Sequence, residues 1–354
     1  MKKFIALLFL TFASVFASAQ ETITRHYGNN DLTCSLISGI CQDQDGYIWI
    51  GTLNGLNKYD GWNFQHIYAN ADDPDALLNN YIHVLFSDSK GRLWVGTNQG
   101  LQLYDSSTGK FKRVIFPEGI SFTVEHIAEM ADGEIWLTNG NIFRLDPDSM
   151  RAEPIEKINN QTRSSVNEVF IDSDGTVWLA SNRSRVFRLK GDDFETIVTE
   201  GSLSSFIEDE DGIYATSRTS AYRWNESSSS FEKLQNDCEP YTRGRLLKTR
   251  DGRIYLSTYT QGFRSFDKAS MKVVPTDRFY SRDIDLDNIS VIDWMEDRSG
   301  NIWICSAFNG VIMASNCPTY FISIAPDISS RPFNDMVNAV LVTSDGKLWS
   351  GTEN

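Results

Sequence analysis

Arginine, aromatic and amide side chains recur in short polar segments of this chain. One group of segments carries Arg183 with Arg185, then Arg218, Tyr259 and Phe308. A second group carries Arg163, then Tyr241 with Arg243, and continues in kind through Arg278, Tyr280, Arg282 and Arg331. An aromatic face accepts a pyranose ring, amides and guanidinium groups donate to hydroxyls, and an arginine fork grips carboxylate or sulfate. Polar loops collect such residues without any function as well. As a set, Arg163, Arg183, Arg185, Arg218, Tyr241, Arg243, Tyr259 and Phe308 are the candidate ligand-binding residues, and an oligosaccharide is the ligand their chemistry suits.

No catalytic constellation accompanies them. His26, His66, His83 and His126 are far apart and none has the i, i+4 spacing of metal ligands. There is no Gly-x-Ser-x-Gly elbow and no glycine-rich phosphate loop. Most carboxylates fall in turns such as 172–175 and 209–212, where aspartate accepts backbone amides and needs no further role. The Asp-x-Asp-Gly turns lack the extra oxygen ligands of a calcium loop. Sialidase-type Asp-x-Gly-x-x-Trp turns have a different register, since here aspartate stands three residues before glycine (Asp88 and Gly91, Asp297 and Gly300). No catalytic residue, metal or cofactor is expected.

The elements that would position the loops are read from one phrase. Its fullest copies run from Asp43 through Gly46 to Trp49 and Thr52, and from Asp88 through Gly91 to Trp94 and Thr97. Weaker copies centre on Trp136, Trp178, Tyr214, Tyr255 and Trp303, and an eighth on Trp349; the steps are 45, 42, 42, 36, 41, 48 and 46 residues. Each copy offers four short β-permissive runs separated by turn residues, with glycines such as Gly46 and Gly91 free to take positive φ. A period in the low forties is the length of one four-stranded propeller blade. The expected fold is all-β, a seven-bladed propeller of four-stranded antiparallel blades plus the start of an eighth repeat. The alternative is eight blades, and residues 22–27 could pair with the last blade in either case. Trp49, Trp94, Trp136, Trp178 and Trp303 are expected between blades as structural repeat residues. Loops between second and third strands, and the links between blades, then emerge at one end of the ring and gather the ligand set there. Trp62, in a hairpin tip after Asp60 and Gly61, would face the other end and suits a partner surface.

Lys2 and Lys3 precede an apolar run from Phe4 to Phe16, and small residues Ala17 to Ala19 follow. This pattern predicts a signal peptide over 1–19 and export to the periplasm. The expected domains are the signal peptide, a propeller over 20–336, and 337–354 as the opening of a second propeller. A formal charge of −14 argues against nucleic acid as a partner. Five cysteines in irregular spacing support neither zinc nor a dithiol motif; Cys41 and Cys305 fall within strands, and a Cys34–Cys41 bridge is left open.

The phrase Asp-x-x-Gly-x-(Leu/Ile)-Trp-(Ile/Val)-Gly-Thr, followed by Gly55 to Asp60 or Gly100 to Asp105, resembles the two-component regulator propeller repeat. That resemblance implies the extracytoplasmic sensor of a Bacteroidetes hybrid two-component system. Such a sensor has two seven-bladed propellers and a β-sandwich, then a membrane helix, a histidine kinase, a receiver and a DNA-binding domain. On that basis the partners would be the remaining sensor and kinase domains, a second copy in a homodimer, and a glycan-derived oligosaccharide. Two other classes compete. A propeller enzyme acting on glycans, a lyase or hydrolase, predicts a cluster of acid, base and arginine groups at the ring centre. A protein-interaction ring predicts a broad exposed apolar patch.

Overall fold

A computed structural model describes residues 24–117, 123–163, 165–191, 193–236, 245–257, 262–275, 286, 288–315, 337–342 and 348–352. Chain contacts divide it into two units, residues 1–318 and 319–354. In the first unit seven antiparallel sheets follow one another as blades, each built on the order first, second, third, fourth strand. Blade one is Ile37–Gln42, Ile48–Thr52, Gly55–Tyr59 and Phe64–Ile67. The first strands of successive blades touch all the way round, and the first strand of blade seven, Val291–Glu296, touches that of blade one. The ring therefore closes at seven blades rather than eight. Blade six gains a short fifth strand, Gln235–Asn236, parallel to Lys272–Pro275. In the second unit, Val337–Val342 pairs antiparallel with Leu348–Thr352.

The repeat phrase becomes a clasp. Asp43 accepts the Tyr47 amide at 2.9 Å on one oxygen and the Trp49 indole at 2.7 Å on the other. Asp88, Asp172 and Asp297 hold Trp94, Trp178 and Trp303 in the same way, at 2.9, 2.9 and 2.8 Å. One buried carboxylate thus tightens the turn and orients the indole. The oriented indole then packs on the next blade: Trp49 edge-on to Tyr104, Trp178 to Trp224, and Trp303 to Tyr59. Trp49, Trp94, Trp178 and Trp303 are buried, whereas Trp136 is only half-buried. Met130 stands where the aspartate would be, and Trp136 bonds Glu134 instead, at 3.1 Å. In blade five Tyr214 has no indole N–H to offer. Asp209 turns to Lys248 of blade six, at 2.8 Å, and to Lys268.

A second device links blades at the same end as the clasp. The amide after the repeat aspartate donates to a side chain at the end of the next blade's first strand. Ser89 donates to Glu129, Ser173 to Glu208, and Arg298 to Gln42, at 2.7, 2.7 and 2.8 Å.

The ring is shut by its N-terminal strand. Thr24–Tyr27 lies antiparallel to Val311–Ala314 as the outermost strand of blade seven. Tyr27 then packs against Tyr59, Phe64 and Trp303, and its hydroxyl meets that of Tyr59 at 2.9 Å. The close approach depends on Gly310, which has φ +73° and whose Cβ, if present, would sit 2.1 Å from the Tyr27 carbonyl oxygen. Gly310→Ala is expected to cost about 2–4 kcal/mol through strain and displacement of the closing strand. A lower urea midpoint, with early loss of amide protection in 24–27, is the measurement.

The links between blades are not all loops. Residues expected as the loop 159–163 belong to a short helix, Glu156–Thr162, ended by Arg163 in the left-handed region at φ 55°. Asn159 is buried there because its side chain pairs with both backbone groups of Ile142, at 2.7 and 3.0 Å. Its amide is therefore structural rather than open to a ligand. Cys34, Cys41 and Cys305 are free thiols.

Candidate functional site

Bulges re-aim one side chain in the first strand of five blades. In blades one, two, four, five and seven the pairing register shifts near the start of that strand. A β-bulge adds a residue, bends the strand and redirects its side chain. In these five the residue just after the shift pairs with the penultimate residue of the second strand; in blades three and six there is no shift and the equivalent residue pairs with the last one. In ring order these positions are Gly39, Val84, His126, Glu168, Ser205, Arg245 and Asp293. Two blades present small or apolar groups and five present polar ones.

These five converge on the ring axis. Arg245 Nη1 donates to Asp293 at 2.5 Å across neighbouring blades. His126 feels the Arg245 charge, and Glu168 feels both Arg245 and Asp293, although those residues come from blades on the far side of the ring. The channel side chains also capture backbone amides of the first strands. Ile40 donates to Asp293 at 3.2 Å, Leu246 to the Ser205 hydroxyl oxygen at 3.1 Å, and the Phe206 amide to Glu168.

The electrostatics follow from this enclosure. Burial pushes Glu168 up to about 7, opposed by Arg245 and the Phe206 amide. Burial, helped by Arg245, pulls His126 down to about 4, so it is neutral near pH 7. Its Nδ1 is buried and has no hydrogen-bond partner among the described residues. Asp293 raises Arg245 further, and burial takes the Cys305 thiol well above its ordinary range. The enclosure is not dry. Arg245 has protein on most sides, yet its side chain is 42% exposed because the channel reaches it, while Asp293 is 19% exposed. Water in the channel therefore moderates the shift of Glu168.

The ring centre lies beneath the loops singled out from sequence. After Asp293 pairs with Cys305, the second strand needs only Ser306 before the loop with Phe308. Ala180, the partner of Glu168, is followed by Ser181 and then Arg183. The polar centre thus sits two residues, roughly 7 Å, below the rim. Arg163, Arg183, Arg185 and Arg218 are exposed, each carried by the loop, link or strand end of its own blade, and Phe308 is 59% exposed. Tyr241, Arg243 and Tyr259, with Arg278, Tyr280, Arg282 and Arg331, lie outside the described residues. On blade two the rim adds Tyr81, 37% exposed and stacked on His83 at 4.5 Å. At the opposite end Trp62 is 88% exposed, held in its tip by Asp60, which accepts the Trp62 and Asn63 amides. No group of metal-ligating side chains occurs among the described residues.

Sequence reasoning listed His126 only as a histidine and passed over Glu168, Arg245 and Asp293. A signal did exist. Each channel residue stands ten positions before the repeat aromatic, nine in blade five. Read down that column, the chain spells one polar residue per blade from the third onward.

An all-β ring of seven blades, with a polar centre open at one end, is the class this molecule falls in. Two stretches, residues 31–54 and 76–99, match the model of the two component regulator propeller, so the chain carries that repeat in its first two copies. Among solved structures it is similar to the extracellular domains of two hybrid two-component systems from B. thetaiotaomicron. The TM-scores are 0.72 and 0.68 at 20% and 17% identity, covering 94% of this chain and 47% of each of those chains. This chain spans about half the length of those relatives. It is also similar to virginiamycin B lyase from Staphylococcus aureus, with TM-score 0.65 at 14% identity, covering 84% of this chain and 100% of that one. These identities show a shared fold. No curated protein matches the chain significantly in sequence.

Proposed function

We propose that this ring is an extracytoplasmic sensor propeller of a hybrid two-component regulator. It takes a glycan-derived oligosaccharide at the end where rim arginines and aromatics surround the polar centre. The observation that carries this reading is the convergence of His126, Glu168, Ser205, Arg245 and Asp293 beneath that rim. The match to the regulator propeller repeat supports the receptor class. In the periplasm, after removal of residues 1–19, the ring would pass ligand occupancy to kinase domains through the rest of the receptor, as one half of a homodimer. Residues 337–354 would open the next propeller.

A propeller enzyme is the second reading, favoured by the same cluster. A neutral His126 with an unpartnered Nδ1 is a candidate base, Glu168 a candidate acid, and Arg245 a stabiliser of developing charge. Calorimetric titration with neutral and acidic oligosaccharides, with product analysis on the same samples, separates the two. Saturable binding without product, weakened at least tenfold by Arg183→Ala with Arg218→Ala, is the expected result. Released product would overturn the sensor reading in favour of the enzyme.

A further inference from the structure

The centre of the ring has a donor set whose charge state is not fixed. Asp293 is fully engaged: it accepts Arg245 at 2.5 Å, the Trp294 amide at 3.0 Å and the Ile40 amide at 3.2 Å. Arg245 spends one of its N–H donors on that bond and keeps a side chain 42% open to the channel. A guanidinium has five donors in a flat fork, so a bidentate face remains. Ser205 uses its oxygen to accept the Leu246 amide, which leaves its hydroxyl proton to point elsewhere. Glu168, facing Arg245 and Asp293, is the one acid of the centre not held in an ion pair among the described residues.

We propose that the ring centre is a proton-linked carboxylate site, in which a ligand carboxylate docks on the open face of Arg245 and protonated Glu168 donates a hydrogen bond to it. The inference rests on the ligand-binding reading above and narrows it to acidic sugars. With Asp293 already on Arg245, a ligand carboxylate brings a second negative charge to one guanidinium; a third from ionised Glu168 is disfavoured, and Glu168 is the member able to take a proton. The exposed Arg163, Arg183, Arg185 and Arg218 place positive charge on the rim of a chain whose formal charge is −14, so the mouth favours an anion that the remaining surface repels. The groups that act on Glu168 are the Phe206 amide from blade five and Arg245 and Asp293 across the channel, with His126 of blade three and Ser205 of blade five at the equivalent positions of the flanking blades. Cys41 and Cys305 lie beside Asp293. Burial keeps the thiols protonated. His126 titrates near 4 and stays neutral, so between pH 6 and 8 the proton count of the centre changes at Glu168.

The sign follows directly. A bound anion holds the proton on Glu168, binding takes up a proton, and affinity rises as pH falls. Sodium glucuronate titrated into the whole chain should bind about tenfold more weakly at pH 8 than at pH 6, from the protonated fractions of a group near 7. Heats in buffers of different ionisation enthalpy should show proton uptake. Glucose, the neutral twin, should show no such dependence. Glu168→Gln should hold the low-pH affinity at both pH values, and Arg245→Met should abolish glucuronate binding at both. If Arg245→Met does not fold, the Glu168→Gln profile decides alone. Binding independent of pH, absent at both pH values, or unchanged in a folded Arg245→Met would overturn the proposal. So would glucosamine binding that tightens toward pH 8. Neutral oligosaccharides that bind while glucuronate does not would sink this inference and leave the sensor reading standing. Glucuronate binding with no oligosaccharide response would do the reverse.

Discussion

Asp88→Ala is expected to cost about 3–5 kcal/mol, far beyond an ordinary surface change. Its carboxylate is fully buried and serves four donors. The Trp94 indole reaches it at 2.9 Å, the Arg92 guanidinium at 2.6 Å, and the Lys90 and Arg92 amides at 3.1 and 2.8 Å. Removal leaves an indole N–H and a guanidinium pointing into protein with nothing to accept them. It also loosens the turn through Gly91 that joins two strands of the blade. The comparison is built into the chain. Blade three already lacks the aspartate, and Trp136 relies on the partly exposed Glu134. Glu134→Ala should therefore cost only about 1 kcal/mol. Urea midpoints of the two variants measure the difference. Equal losses would mean that the clasp is not what sets the blade.

Glu168→Gln has the opposite sign. Glu168 is raised from an ordinary 4.5 to about 7, so between those values the folded protein holds a proton that the unfolded chain has released. Stability from this group is full below about 4.5, falls as pH rises, and levels off above about 7. Discounted for channel water, the penalty at pH 8 is about 1–3 kcal/mol. Glutamine, isosteric and uncharged, should recover it. His126 works against this trend: it is held neutral down to about 4, so its contribution is lost as pH falls from about 6.5. The two slopes largely cancel between pH 4.5 and 6.5 in the unaltered protein. In Glu168→Gln the cancellation is gone, and stability should rise with pH through that window. Urea midpoints from pH 4 to 8 give both curves. A variant no more stable than the parent at pH 8 would show that Glu168 is ionised there at no cost.

How much of this was legible beforehand depended on periodicity. The clasp could be read because its parts lie within ten residues: Asp43, Gly46 and Trp49 are one turn and one strand. The same local logic gave the blade count and placed Trp62 on a hairpin tip. Closure was expected at seven blades with eight as the alternative; what decides it, Tyr27 meeting Trp303, comes about only once the chain has run the whole ring. The functional site divides in the same way. Rim residues such as Arg183 and Arg218 stand out because arginine in a polar loop is locally visible. His126, Glu168, Arg245 and Asp293 are single polar residues in four separate strands, and each alone reads as an ordinary strand position. Only closure of the ring, which stacks the same position of successive first strands around one centre, brings them together, with a bulge re-aiming Glu168 and Asp293. Helix 156–162 was missed because the Glu156–Thr162 stretch has no side-chain cap and is finished by a left-handed Arg163 rather than glycine.

Ligand is expected at the end of the ring that holds the polar centre. Hydrogen exchange, measured with and without a saturating oligosaccharide identified by titration, tests this most directly. Protection should rise in the first strands 166–171 and 245–248 and in the loops near Arg183, Arg218 and Phe308, while the hairpin tip with Trp62 stays unchanged. Protection gathered at the Trp62 end, with the first strands unaffected, would contradict it.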